Sequence, residues 1–327
     1  MASQRVLLMR WNWIGDIILA YPAAATIKES NPDVELAWFV DTRFRELVDG
    51  HKRVDKVFTF DRKRFKGREW NPFLWRALIR EYLKARSFRP DVVINLQPSD
   101  RIAFAAWLSK GKKLVTLDPK RPIVRFLAGH SVYSRPNQHA VEANLDAVSA
   151  AGFTKRTYEF AIPIREEHRK FVDENIGHGG WITVHLGTRN VRKQWPPERF
   201  AQVAQHLAAE GFRIVLVGGP GEEELRNRFL KIANAEDWVG KTNLMQLSEI
   251  IRRSRIHLSN DTASAHIAAV FEVPCVTVFG YMSPAVFHPY LQPDAVIDSG
   301  GDILGVRVET VLERCLDRIG AKVTARQ

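Results

Sequence analysis

The stretch RVLLMRWNWIGDIILAYPAA, Arg5–Ala24, decides how the rest of the chain is read. Its first five residues form an apolar run that reads as a buried strand. The segment after Tyr21 reads as a helix opening at Pro22, where proline has helical φ and its missing N–H is no loss. Between them lie Trp11, Trp13, Gly15 and a single acid, Asp16. The alternation continues. In the first half the apolar, β-branched runs are VELAWFV (Val34–Val40), VDKVFTF (Val54–Phe60), DVVINL (Asp91–Leu96) and KLVTL (Lys113–Leu117). Helical spacing separates several of them, as in PFLWRALIREYLKARSF (Pro72–Phe88). The second half repeats the scheme with WITVHL (Trp181–Leu186), RIVLVGG (Arg213–Gly219), IHLSND (Ile256–Asp261), CVTVFG (Cys275–Gly280) and AVIDS (Ala295–Ser299). Its clearest helix, PPERFAQVAQHLAAEG (Pro196–Gly211), starts on proline and stops on glycine.

Strand–helix alternation predicts a parallel sheet covered on both faces. The expectation is therefore an α/β chain of two Rossmann-like, doubly wound domains facing across a cleft. The join falls within Thr154–Gly180, giving domains at 1–165 and 166–327, with the last helix free to pack back on the first. Ligands of such sheets bind beyond the carboxyl ends of the strands, so the chemistry is sought there.

With 327 residues the chain can bury two cores, and 45% hydrophobic with 26% charged residues is ordinary for a globular protein. No run of about 18 apolar residues is present, so no membrane span is expected. The first residues lack a charged-then-apolar signal pattern, so the expected compartment is the cytosol. Cys275 and Cys315 suit neither a disulfide framework nor a zinc motif and read as buried thiols. The net charge of +11 asks for an anionic partner: nucleic acid, a phospholipid surface or a phosphorylated substrate. Asp61–Arg89 alone carries ten Lys/Arg against three Asp/Glu, although a solvated helix face behind a basic loop would look the same. Neither G-x-G-x-x-G nor G-x-x-x-x-G-K-[ST] follows a strand, which argues against a common dehydrogenase or P-loop enzyme. Without an Asp-x-Asp pair or H-E-x-x-H, no metal or cofactor is expected.

Four constellations sit at strand ends. Asp16 follows the first strand beside Gly15. Helix capping, worth about 1 kcal/mol, would explain the acid but not Trp11 and Trp13, which either wall a pocket or belong to the core. In VHLGTRNVRKQWPPERF (Val184–Phe200), Thr188 and the loop amides can donate to phosphate oxygens, and Lys193 can neutralise their charge. In LSNDTASAHIAAVF (Leu258–Phe271), Asp261 and Thr262 open a helix. They are good N-caps, and the same geometry attracts a diphosphate. His266 lies one turn on, where a satisfied core histidine is the commoner outcome. In GGPGEEE (Gly218–Glu224), a glycine turn precedes acids, Glu222 among them, able to grip a ribose through its hydroxyls.

Together these motifs resemble glycosyltransferase family 9, the bacterial heptosyltransferases of lipopolysaccharide core synthesis, over nearly the whole chain. The resemblance lies in IGDIILAYPA, then KQWPPERFAQVAQHL, then NDTASAH followed by VPCVTVFG and Ser-Pro. It implies the GT-B fold and an inverting, metal-independent transfer of heptose from ADP-heptose to an anionic glycolipid acceptor. It also implies Asp16 as general base, with Thr188, Lys193, Glu222, Asp261, Thr262 and His266 as donor-binding residues. Ala263 stands where the family has glycine, and Tyr281 lies in an altered FGYMSP turn. Arg62, Arg64 and Lys66, with Lys63, form one basic loop, and Lys120, Arg121 and Arg125 another. These are expected to hold the acceptor at the inner-membrane surface, peripherally and on its cytoplasmic face, with the amphipathic Phe73–Phe88 adding interfacial contact. The readings kept beside this one are a family 9 enzyme with another nucleotide sugar, a sugar-nucleotide epimerase and, on charge alone, a nucleic-acid binder.

Overall fold

A computed structural model of the chain describes residues 3–61, 72–97, 99–280 and 282–324. The chain divides into two units, Met1–Pro163 and Ile164–Gln327. Among the described residues of the first unit, six strands pair in parallel: β1 (Arg5–Met9), β2 (Glu35–Asp41), β3 (Lys56–Phe60), β4 (Val92–Asn95), β5 (Lys113–Leu117) and β6 (His130–Val132). Their order is β3-β2-β1-β4-β5-β6. The second unit pairs β7 (Ile182–His185), β8 (Ile214–Gly218), β9 (Glu236–Val239), β10 (Ile256–Asn260), β11 (Cys275–Phe279) and β12 (Val296–Asp298) in the order β12-β11-β10-β7-β8-β9. Counted from its own first strand, each sheet runs 3-2-1-4-5-6, the Rossmann winding. The α/β, doubly wound expectation holds. The winding reverses between β1 and β4, and again between β7 and β10. Crossovers leave in opposite directions there and open a crevice at the carboxyl edge.

The helices of the first unit are α1 (Ile14–Ile18), α2 (Tyr21–Ser30), α3 (Pro72–Ser87), α4 (Asp100–Leu108), α5 (Pro122–Leu127) and α6 (Ala140–Ala151). Strand periodicity of two assigns the faces. Leu7, Met9, Ala37, Phe39 and Val93 pack with Tyr82 and Ala85 of α3 and Ile102, Ala105 and Ala106 of α4. The alternating Val6, Leu8, Leu36 and Trp38 are equally buried, and Tyr21 of α2 stands edge-on to Trp38. In the second unit α7 (Glu166–Asn175), α8 (Pro197–Ala209), α9 (Glu223–Leu230), α10 (Leu244–Arg252), α11 (Ala263–Val270), α12 (Pro284–Phe287) and α13 (Val308–Thr324) play the same parts. The last of them lies on β10, β11 and α8 of its own unit.

Two strands were not expected, β6 and β9. Both are short and polar, and both lie at a sheet edge. An edge strand is not buried on both faces and so lacks the apolar run that betrays a central strand. The turn after β1 also holds a helix of its own, α1, with Trp13 at its N-cap position at φ 71°. A bulky residue in that left-handed region strains the backbone by about 1–3 kcal/mol. The next helix then begins at Tyr21, one residue before Pro22. Cys275 and Cys315 are buried free thiols, and burial pushes both up to about 12.

Burial also lowers two imidazoles: His51, stacked on Tyr21, to about 4, and His257 to about 3. Unfolded, each would bind a proton near pH 6.5, which the folded chain refuses. Stability is therefore full above pH 6.5 and falls by about 1.4 kcal/mol per pH unit for each histidine below it, until the folded value is reached. Glu159, held near 2 by Arg53, adds its own loss only at lower pH, once the unfolded carboxylates begin to protonate. Urea unfolding at pH 7, 6 and 5 should show the midpoint falling at each step. A flat profile would show that these imidazoles charge freely in the folded chain.

Candidate active site

The crevice of the second unit collects Thr188, Lys193, Asp261 and Thr262. Lys193 Nζ lies 2.5 Å from Asp261 Oδ2, with both side chains largely buried. Thr188 Oγ1 donates to the Asp261 carbonyl at 3.4 Å. The lysine ends a single 3₁₀ turn, Val191–Lys193, entered through Asn190, whose side chain accepts from Arg192 N at 3.0 Å. That turn lies against Gly280. A Cβ there would stand 2.8 Å from Arg192 O and 2.9 Å from Lys193 Cα, so glycine at the end of β11 is what admits the lysine. Asn260, the last residue of β10, ties the loop down. Its Nδ2 donates to Leu186 O at 2.7 Å, and its Oδ1 accepts from Trp195 N at 2.8 Å. Trp195 is fully buried beside Phe200 and donates to Val306 O.

The capping explanation of Asp261 and Thr262 fails. Thr262 is the N-cap of α11, but among the described residues no side chain caps that helix, and the Asp261 carboxylate turns to Lys193 instead. The first N–H groups of α11 are left for an anion, next to a lysine. Ala263 is the first helical residue and takes ordinary helical φ, so the family glycine's freedom is not needed there. His266 is buried one turn later.

Ser264, which the sequence reading passed over, joins two histidines beneath the crevice. Its Oγ lies 2.8 Å from His185 Nδ1 and 2.8 Å from His257 Nε2. His185 Nε2 faces both carboxylate oxygens of Glu222, at 3.3 and 3.2 Å. Gly219 N donates to the same carboxylate at 3.2 Å. The carboxylate lies flat on Gly187, where a Cβ would stand 2.1 Å from Glu222 Cδ. His185 and His257 sit inside strands rich in β-branched neighbours and look like core residues in one dimension. Only the pairing of β7 with β10 brings them together.

In the first unit, the crevice between β1 and β4 holds Asp16. The acid is the third residue of α1, and its Oδ2 lies 3.1 Å from Arg10 Nη2. Arg10 is buried and also donates to Leu96 O, which anchors it at the end of β4. Gln97 Oε1 accepts from the backbone N–H of Trp11 (3.0 Å) and Asn12 (3.1 Å), bracing the turn from the other side. Neither Arg10 nor Gln97 was picked out from sequence. The tryptophans divide: Trp11 is core, its ring 4.7 Å from Phe60, while Trp13 is exposed. Arg121 is exposed and paired with Asp100 at 2.8 Å, and Lys120 beside it is exposed. Arg125 belongs not to a loop but to α5, with its Nε on Pro119 O. Arg62, Lys63, Arg64, Lys66 and Tyr281 lie outside the described residues. Among the described residues, no group of three or more His, Cys, Asp or Glu side chains is placed to hold a metal ion.

Residues 38–302 match the family model described as glycosyltransferase family 9 (heptosyltransferase). The chain is 23% identical over 325 residues to lipopolysaccharide heptosyltransferase 1 of Escherichia coli O18:K1:H7, covering 97% of this chain and 98% of that protein. The crystal structure of the family 9 glycosyl transferase from Veillonella parvula is similar at a TM-score of 0.83 and 21% identity, covering 98% of each chain. The E. coli heptosyltransferase WaaC with ADP-2-deoxy-2-fluoro heptose is similar at 0.77 and 20%, covering 96% of this chain and 99% of that one. The two Rossmann sheets are thus those of a GT-B fold, and the chain belongs to glycosyltransferase family 9.

Proposed function

We propose that this glycosyltransferase moves heptose from ADP-heptose to a hydroxyl of an anionic lipopolysaccharide inner-core acceptor, with inversion and without a metal. The observation that carries the reading is the uncapped start of α11 beside Lys193 at the winding reversal of the second sheet. A helix N-terminus with a lysine is a site for a diphosphate, the charge a nucleotide sugar carries. The donor and acceptor follow from the relatives, one a lipopolysaccharide heptosyltransferase and one holding an ADP-heptose analogue. In this reading residues 166–327 bind the donor and 1–165 the acceptor.

The acceptor hydroxyl attacks the anomeric carbon as the bond from that carbon to the diphosphate oxygen breaks. Asp16 takes the hydroxyl proton. Negative charge gathers on the departing ADP, where Lys193, Thr188 and the α11 amides stabilise it more than they stabilise the bound donor. Glu222 accepts from the ribose hydroxyls. The deciding experiment incubates the protein with inner-core glycolipid lacking heptose and a panel of ADP- and UDP-sugars, followed by mass spectrometry. A mass gain of one heptose from ADP-heptose is expected. Transfer from a different donor would retire the donor assignment, and a nucleotide sugar consumed without any acceptor would retire transfer itself.

The same reading puts the enzyme at a membrane surface, on the cytosolic side. Among the described residues no helix is long and apolar enough to cross a membrane. The outer face of α4 and α5 instead exposes Phe104, Trp107, Ile123 and Phe126, the last 84% accessible. Arg101, Lys110, Lys120, Arg121 and Arg125 are exposed around them. Aromatic side chains and cations together suit the interface of an anionic bilayer, each nearby cation adding about 1 kcal/mol. Ile123→Glu with Phe126→Glu should lower binding to phosphatidylglycerol vesicles at least 10-fold without lowering the melting temperature. Unchanged binding would show that this face does not meet the lipid.

A further inference from the structure

Beneath the crevice of the second unit lies a line of buried polar side chains that the proposed mechanism does not use. Thr183 and His257 are wholly inaccessible, Ser264 nearly so, and His185 is buried. In order, Thr183 Oγ1 is 2.9 Å from His257 Nδ1, His257 Nε2 is 2.8 Å from Ser264 Oγ, and Ser264 Oγ is 2.8 Å from His185 Nδ1. His185 Nε2 then meets the Glu222 carboxylate. A buried polar group without a partner is destabilising, so a chain this long persists only if its protons run one way.

The direction can be deduced. Each hydroxyl has one proton to give, and each ring with a single N–H has one donor and one acceptor. Suppose Thr183 gives its proton to His257 Nδ1. His257 then donates from Nε2 to Ser264, Ser264 to His185 Nδ1, and His185 from Nε2 to Glu222, so His257, Ser264 and His185 each give once and accept once between a hydroxyl that only gives and a carboxylate that only accepts. Reverse the direction, and a singly protonated His185 spends its proton on Ser264 and turns a lone pair on a carboxylate. The carboxylate end therefore sets the direction, and it sends the Thr183 proton to His257 Nδ1, the nearest acceptor of that hydroxyl. Thr183 has two other acceptors, Ser254 Oγ at 3.2 Å and Ile256 O at 3.4 Å, both farther than His257.

We infer that Thr183, His257, Ser264 and His185 form a one-way hydrogen-bond relay that positions Glu222 as a fixed carboxylate acceptor for the ribose diol of the donor. These four are positioning residues, and the inference rests on the proposed ribose role of Glu222. The relay starts in the middle of the sheet and reaches the crevice through the first turn of α11, so it ties the ribose site to the helix that receives the diphosphate.

Two measurements test it. Nitrogen-15 spectra of histidine-labelled protein should show His257 and His185 both carrying their proton on Nε2, and in Ser264→Ala the His185 signature should change. A His185 proton on Nδ1 alone in the wild type overturns the relay, whatever the substrate. The second measurement compares the affinity for ADP with that for 2′,3′-dideoxy-ADP. The wild type should prefer ADP at least 10-fold. Ser264→Ala, and the near-isosteric Thr183→Val as a milder second variant, should reduce that preference to about 2-fold while leaving the dideoxy affinity unchanged. Glu222→Gln separates the two ideas. If it removes the preference and neither relay variant does, the relay is wrong and the ribose role stands. If Glu222→Gln keeps the preference, the ribose role itself is wrong, and the relay's part in binding falls with it.

Discussion

Asp16→Asn should bind ADP as the wild type does and turn over about 10²–10⁴-fold more slowly, the usual contribution of a general base. The substitution is isosteric. Its amide oxygen can still accept from Arg10, so the braced turn between β1 and β4 should survive. What disappears is the group that accepts a proton while the acceptor oxygen is bonding to carbon. Steady-state turnover at saturating donor, with calorimetric titration of ADP, separates the two effects. Near-normal turnover would remove Asp16 as the base. Loss of ADP affinity in parallel would mean that the acid supports the fold or the donor rather than the proton transfer.

Lys193→Met should have the second largest effect, a fall in kcat/KM of about 10²–10³, or roughly 3–4 kcal/mol of transition-state stabilisation. Two losses combine. The leaving diphosphate loses a charge-assisted hydrogen bond. Asp261, now without its cation 2.5 Å away, also presents an uncompensated negative charge to an anionic ligand. The double variant Lys193→Met, Asp261→Asn removes that repulsion and should recover about 10-fold in donor affinity over Lys193→Met alone. A cycle of four ADP titrations checks this. Strict additivity of the two single variants would show that Asp261 holds the lysine in place without being felt by the nucleotide.

The class of fold was legible from residues alone because both sheets are buried on both faces. Central parallel strands must then be continuous apolar runs, and the runs at β1, β4, β7 and β10 can be read with bounds good to a residue or two. The duplication was legible for the same reason, since each half repeats the runs at similar spacing. Motif order was enough to place the chain in family 9. Asp16, Thr188, Lys193, Asp261 and Thr262 could be nominated because loops at strand ends are where polar residues in an apolar sequence stand out, whereas Glu222 was singled out from its neighbouring acids by the family resemblance.

Other features depended on three dimensions. The edge strands β6 and β9 carry no apolar signature, so only pairing with β5 and β8 reveals them. Trp11 and Trp13 are two residues apart and equally aromatic, yet one fills the core and the other is exposed, because the turn takes a left-handed step at Trp13. The Asp261–Thr262 pair reads as a cap in any sequence, and only the reach of Lys193 over Gly280 takes the carboxylate away and leaves the helix end open. Arg10 and Gln97 could not be nominated, because their partners Leu96, Trp11 and Asn12 are neighbours only through the β1–β4 pairing. The same holds for Ser264 between His185 and His257, residues about 70 positions apart in the chain that the β7–β10 register, with His257 opposite Thr183 and His185 opposite Ser259, makes diagonal neighbours. Sequence records which side chains can donate and accept. Which of them meet in a buried place, where an unpaired proton costs stability, is set by strand order and register.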